Sequence, residues 1–260
     1  MHSYSSLKQD LIQLGLLPSD TVLVHSSMKS IGEVENGAET VLDVLMDHFE
    51  KTGLLVFPTL SYDIYGKKEK IFSPEKTPSV VGLLTEMFRK RDGVIRSLHP
   101  THSVAAYGKD AVKFCSGHEN FSTPCARKSP WGKLYDRNAR ILFIGTKSIS
   151  CSTFFHAVEE FLPVPGMFEK DPYDLFLEKP DGSLFRIPSF RHHGHHNKYY
   201  SLAAPLLREN GALQEGKFGD AACFLLDARK SADLILALLK KTPLFFTEEY
   251  QEKAGKNFLS

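Results

Sequence analysis

The sequence predicts an α/β fold: a single domain with a mixed, largely parallel sheet flanked by helices. Three observations predict it. Short continuous apolar runs, Val22-Leu23-Val24, Leu54-Leu55-Val56-Phe57 and Ile141-Leu142-Phe143-Ile144, read as strands buried on both faces. Segments with apolar residues at helical spacing alternate with them. The first two runs also enclose one such segment within about 35 residues, the dimension of a βαβ unit, which joins parallel strands.

The elements follow in order. Leu7, Leu11, Ile12 and Leu14 are spaced for a helix over 7–15, which Gly15 stops. After the first apolar run, residues 25–36 are polar and turn-rich. Val41, Leu42, Val44, Leu45 and Phe49 make one apolar face, which predicts a helix over 38–50. Pro58 ends the second run. Residues 61–78 form a long polar loop, of a length often tied to function. A helix at 80–90 and a strand at 103–107 come next. Gly145 stops the third run, and residues 151–161 return to helical spacing. Residues 174–188 predict an antiparallel hairpin turning at Asp181-Gly182. The C-terminal part gives a helix at 199–208, a strand near 221–226 and an apolar helix at 234–239. No shift in composition marks a linker, so residues 1–260 read as one domain.

The 260 residues are 42% hydrophobic and 24% charged, which allows a sizeable core without staples. A net charge of +1 points to neither nucleic acid nor an anionic membrane as partner. No apolar run has the length of a bilayer span, and the N-terminus lacks the apolar core of a signal peptide. Cys115, Cys125, Cys151 and Cys223 form no C-x-x-C pair and read as reduced thiols of a cytoplasmic protein.

Four stretches carry the chemistry. Val24-His25-Ser26-Ser27-Met28-Lys29-Ser30-Ile31-Gly32 leaves a strand and precedes a helix. Ligands of parallel sheets gather at such carboxyl ends. Hydroxyls, Lys29 and free N–H groups there suit a phosphorylated cofactor; an ordinary polar loop fits the same residues, and the spacing is not that of a P-loop. Arg96-Ser97-Leu98-His99-Pro100-Thr101-His102-Ser103 precedes a strand, Pro100 holds His99 extended, and the donors and acceptors suit a ligand rim, with His99 and His102 equally placed. Ser150-Cys151-Ser152-Thr153-Phe154-Phe155-His156-Ala157-Val158-Glu159 sets Thr153, His156 and Glu159 three apart on one helix face. A neutral imidazole near a carboxylate is a suitable general base; a structural core histidine is the competing reading.

The fourth stretch, Arg191-His192-His193-Gly194-His195-His196, invites a metal. No carboxylate or cysteine lies beside it in the sequence and H-E-x-x-H is missing, so no metal is expected and a polar loop at the site mouth fits better. Cys151 ranks low as an acyl-accepting nucleophile, because His156, five residues on, shares its helix face poorly. The absence of a G-x-S-x-G elbow argues against an α/β-hydrolase.

Taken in order, Leu14-Gly15, Asp20-Thr21-Val22-Leu23 running into the Val24 block, Gly53-Leu54-Leu55-Val56-Phe57-Pro58-Thr59, Gly93-Val94-Ile95 running into the Arg96 block, Ser129-Pro130-Trp131-Gly132-Lys133-Leu134 and the Ser152 to Glu159 block resemble the aminoglycoside 3-N-acetyltransferase family over nearly the whole chain, including its bacillus-type members. The resemblance implies an α/β fold unlike that of the GNAT acetyltransferases, acetyl-CoA (coenzyme A) as donor, a small-molecule amine such as an aminoglycoside as acceptor, and a link to antibiotic resistance. It implies that Ser26, Ser27, Met28, Lys29, Ser30, Ile31 and Gly32 lie against the pantetheine and pyrophosphate of CoA, that Ser97, His99, Thr101 and Ser103 line the same cleft, and that His156 is the catalytic base, with the thiol pointing at it. Glu159 is then expected to set the imidazole tautomer and Thr153 to stabilise the oxyanion. The competing functions are a metal-dependent hydrolase built on the 192–196 histidines and a CoA-binding protein without catalysis. Family members usually carry acidic residues just before the helix expected at 199. This chain has Arg191 and histidines there, and its nearest acids are Asp63, Glu159 and Glu160. That predicts an acceptor smaller or less cationic than an aminoglycoside.

Overall fold

The computed structural model describes residues 1–162, 164, 166–194 and 196–255. Helix α1 (Tyr4–Gln13) opens on a capping box between Ser3 and Ser6. Then come β1 (Thr21–Ser26), α2 (Ala38–Phe49), β2 (Leu54–Pro58), β3 (Ile71–Phe72), α3 (Leu83–Phe88), β4 (Ile95–Arg96), β5 (Val104–Gly108), α4 (Ala111–Cys115), α5 (Pro130–Asp136), β6 (Arg140–Ile144) and α6 (Thr153–Glu160). The hairpin β7 (Tyr173–Glu178) and β8 (Leu184–Ser189) precedes α7 (Ala204–Glu209), β9 (Leu213–Phe218), β10 (Ala221–Asp227), α8 (Ala228–Lys241) and α9 (Glu248–Lys253).

The main sheet runs β4-β5-β2-β1-β6-β10-β9. At its centre β1 pairs in parallel with both β2 and β6, while every other neighbouring pair is antiparallel. All strands but β5 and β10 therefore point one way. The central apolar runs feed two cores at once, because alternate side chains leave opposite faces of a strand. Val22, Val24, Leu55 and Phe57 pack with Leu7, Leu11, Val41, Leu45 and Phe49 on the face covered by α1 and α2. Leu23, Val56, Ile141 and Phe143 pack with Trp131, Phe154, Phe155 and Val158 on the face covered by α5, α6 and α8. Among the described residues, no helix is long and apolar enough to cross a membrane.

Besides the unexpected β4, α4, α5 and α9, three departures from the sequence expectations bear on the architecture. The stretch expected as a loop over 61–78 contains a 3-10 turn, Tyr62–Gly66, and strand β3, which pairs in parallel with β7 to make a small sheet β3-β7-β8. Ile64, Phe72, Leu175, Leu177 and Ile187 form its own core. Second, the helix expected at 199–208 begins as a 3-10 turn, His196–Ala203, and becomes α-helical only at Ala204, beside Pro205. Third, β9 was not foreseen: its sequence is apolar only at its ends, as suits a charged edge strand. The helix expected at 234–239 is the middle of the longer α8, N-capped by the Asp227 side chain.

Candidate active site

A cleft opens at the carboxyl ends of β1, β2 and β6. Its broad part, about 470 Å³, is lined by Tyr62, Tyr65, His102, Ser152, His156, Arg191, His192 and Asn197 among others. A narrow part of about 170 Å³ reaches His25, Ser26, Pro58 and Thr146. Leu60, Val81, Cys151 and Thr153 line both.

Helix α6 presents the chemistry. Phe154, Phe155 and Val158 anchor it in the core, leaving Thr153 and His156 on the cleft side. His156 Nδ1 lies 2.7 Å from Tyr200 Oη, and Tyr200 donates in turn to Glu159 Oε2. His196 Nδ1 meets the other oxygen of Glu159 at 2.8 Å. Burial opposes the charge on Glu159, but the imidazoles of His156 and His196 hold its carboxyl down at about 2. An ionised Glu159 only accepts, so the Tyr200 hydroxyl spends its one proton on it. The tyrosine oxygen then accepts from His156 Nδ1–H, which leaves the His156 Nε2 lone pair free on the cleft side. Burial, with the Glu159 charge beside it, raises the Tyr200 pKa well above its usual value, so the phenol stays protonated.

His192 covers His156. Its ring stacks on His156 with centroids 4.4 Å apart and 15° between planes, and stacks again on Phe168 at 5.2 Å. Its Nε2 is fixed 2.9 Å from Glu160 Oε1, which also accepts from the Cys125 backbone N–H. Burial pushes the Glu160 carboxyl up to about 7 and holds the His192 pKa well below the usual imidazole value. The sequence shows no carboxylate or cysteine beside the histidine stretch, yet the fold brings both to it: Cys125, Glu160 and His192 place ligand atoms within 4.8 Å of one another. Those of Glu160 and His192 already bond each other. The described histidines of 192–196 do not converge, since His196 turns to Glu159 and His193 is exposed; His195 lies outside the described residues.

The expected cofactor-cleft residues of the Arg96 block, Ser97, His99, Thr101 and Ser103, lie in the floor beneath the cleft. All four are fully buried, at 1%, 0%, 0% and 0% exposure. Ser97 bonds His118 and the Val104 N–H, His99 accepts from the N–H groups of Thr101 and His102, and Ser103 donates to the Thr59 carbonyl. Arg96 donates to the carbonyls of Thr59, Pro74 and Thr77 and ties the small sheet to the large one. His102 is the member of this block that reaches the cleft, and Trp131 Nε1 holds its carbonyl at 2.8 Å.

Within 26–32, Ser26 lines the narrow part of the cleft. Ser30 Oγ donates its proton to the Gly145 carbonyl and is hydrogen-bonded to Ser27 Oγ, binding the 3-10 turn Met28–Ile31 to the end of β6. Ile31 is in the core, Lys29 is exposed, and Gly32 has φ 86° with Asp220 where a Cβ would stand. Sequence reasoning gave no individual role to His25, Ser152, His192 or Tyr200, although the first three lie in stretches it singled out. His25, at the end of β1, is buried with Nε2 unpartnered, and so is Ser152 Oγ at the start of α6. Tyr200 and His192 reach the site from far along the chain, where no local spacing signals them.

The family described as aminoglycoside 3-N-acetyltransferase matches residues 23–240. The SPbeta prophage-derived aminoglycoside N(3')-acetyltransferase-like protein YokD of Bacillus subtilis is 28% identical, covering 88% of this chain and 89% of its own. A histidine-to-alanine mutant of aminoglycoside acetyltransferase AAC(3)-IVa, solved in complex with gentamicin, superposes with a TM-score of 0.84 at 25% identity, covering 97% of this chain and 93% of that one. AAC-IIIb, solved as a binary complex with CoASH, has the same fold, with a TM-score of 0.80 at 22% identity over 92% of this chain and 97% of that one.

Proposed function

From its membership of the aminoglycoside 3-N-acetyltransferase family, to which this chain belongs, we propose direct acetyl transfer from acetyl-CoA to a small-molecule amine, with His156 as general base and residues 1–260 acting as one cytoplasmic enzyme. The observation that carries this reading is the Glu159–Tyr200–His156 relay, which commits Nδ1 as a donor and leaves Nε2 free at the cleft. His156 Nε2 takes a proton from the amine as it attacks and returns it to the departing thiolate. Thr153, Ser152 Oγ and the free N–H groups at the start of α6 offer donors for negative charge developing on a carbonyl oxygen beside His156.

The cleft suits the donor. Acetyl-CoA brings the activated thioester, and its amide-bearing arm matches the unpartnered His25 Nε2 and Ser152 Oγ. His25 is neutral near pH 7, because burial lowers its pKa to about 4. Ser26, at the mouth of the narrow part, and the exposed Lys29 would hold the outer part of the molecule. Holding both substrates in one cleft removes any need for a covalent acyl-enzyme. Desolvation by the cleft walls holds the Cys151 thiol up at about 11, although the residue is exposed, and keeps it a poor nucleophile.

The test is thiol release from acetyl-CoA. His156→Ala lowers turnover by roughly 10²–10⁴-fold, the usual worth of a positioned base, with an unchanged circular dichroism spectrum. Undiminished transfer by that variant removes His156 from the role.

A further inference from the structure

We infer that the acceptor is an amine carrying an anionic group, a carboxylate or a phosphate, which Arg191 holds while His156 receives the amine. This rests on the acetyl-transfer reading above and adds the charge of the acceptor. Among the described residues lining the cleft there is no carboxylate, and the one formal charge is the Arg191 guanidinium. The acids nearby are committed elsewhere. Glu159 is buried under Tyr200 and His196, and Glu160 under His192 and the Cys125 N–H. Asp63 pairs with Lys67 at 2.8 Å.

Arg191 is built to receive an anion. Its side chain is half exposed, and its guanidinium lies over the Tyr65 ring, 5.5 Å from the centroid. Among the described residues its one ionic neighbour is Glu169, 3.6 Å away, and the guanidinium makes no hydrogen bond. The fork that matches a carboxylate or phosphate with two parallel N–H donors is therefore open. The other polar groups of the broad part, His102, His192, Asn197, Ser152 and Thr153, are uncharged near pH 7. A polyamine would set several ammonium groups against a wall that offers them no counter-charge and one cation. A zwitterionic amine satisfies both ends of the cleft.

Matched pairs of amines test this by acetyl-CoA-dependent thiol release: 4-aminobutyrate against butylamine, O-phosphoethanolamine against ethanolamine, and gentamicin alongside. In at least one pair the member bearing the anionic group is expected to exceed its partner without it by about tenfold or more in kcat/KM, the scale of one charge-assisted contact. The pair that responds tells carboxylate from phosphate. Arg191→Gln is expected to bring that ratio close to one through loss on the anionic member. Ratios near one in both pairs, a preference for gentamicin, or a ratio that survives Arg191→Gln overturns the inference while acetyl transfer stands. Thiol release with none of the amines overturns acetyl transfer itself, and this inference with it.

Discussion

The proposed base, His156, depends on a phenol for its tautomer. Tyr200 is fully buried, edge-on to Phe155 and Phe246, so replacing it by phenylalanine keeps the ring and removes only the hydroxyl. The His156 Nδ1–H then loses its acceptor, and Glu159 loses one of its donors. Tyr200→Phe is expected to cost about 1–3 kcal/mol of stability, for a buried acceptor left short of a donor. It should also lower kcat by a fraction of the roughly 10²–10⁴-fold that the base itself supplies. KM for acetyl-CoA should stay put, because the relay lies behind the imidazole. A lower melting temperature with unchanged kcat would make Tyr200 a packing residue only. Half of this arrangement was legible in the sequence. Thr153, His156 and Glu159 share a helix face by spacing alone, whereas Tyr200 joins them from a 3-10 turn more than forty positions on. Ser97, His99, Thr101 and Ser103 show what spacing leaves open. A polar stretch at a strand end can as well bond to itself under a cleft as line it, and burial is not written in spacing.

At the scale of elements, the short α5 shows how a block can serve the site without touching it. Pro130 occupies the first turn, where its missing N–H costs nothing. Trp131 is fully buried and its indole N–H grips the His102 carbonyl. Gly132 lets the helix lie on the preceding loop: a Cβ there would stand 1.9 Å from the Arg127 carbonyl oxygen. Since Arg127 is also paired with Asp136, the backbone has little room to retreat. Gly132→Ala is expected to destabilise by about 1–3 kcal/mol through overpacking, or roughly 2–4 °C in Tm for each kcal/mol in a chain of this size. A Tm within a degree of the parent would refute the close approach. The three central strands were legible because burial on both faces leaves an uninterrupted apolar run. β3 and β9 were not, since two residues carry no periodicity and a charged edge strand looks like a loop.

Across the whole molecule, imidazoles are the groups most exposed to a change of pH. A row of them passes from His118 through His99 and His102 to His192 and His156, with neighbouring centroids 4.7, 6.3, 5.8 and 4.4 Å apart. Burial lowers the pKa of His118 to about 3 and of His25 to about 4, and holds His99, His102 and His192 well below 6.5. In the unfolded chain the same rings take up protons near 6.5. The stability these histidines contribute is therefore complete above about pH 6.5 and lost as pH falls towards their folded values, at about 1.4 kcal/mol per histidine per pH unit. Glu159, held down at about 2, adds a further loss below 4.5. Glu160 works the other way: with its carboxyl raised to about 7, its contribution is complete below 4.5 and is lost as pH rises through 7. One such carboxyl cannot offset five imidazoles. Melting temperatures at pH 7.5, 6.5 and 5.5 should be level over the first step and fall sharply over the second, with an uptake of several protons per molecule unfolded. A melting temperature that holds from pH 6.5 to 5.5 would mean that these rings already carry protons in the native state. Their packing against one another would then have to be stabilised by charges the fold does not supply, because Glu159 and Glu160 are the only carboxylates bonded to any of the described imidazoles of the cleft.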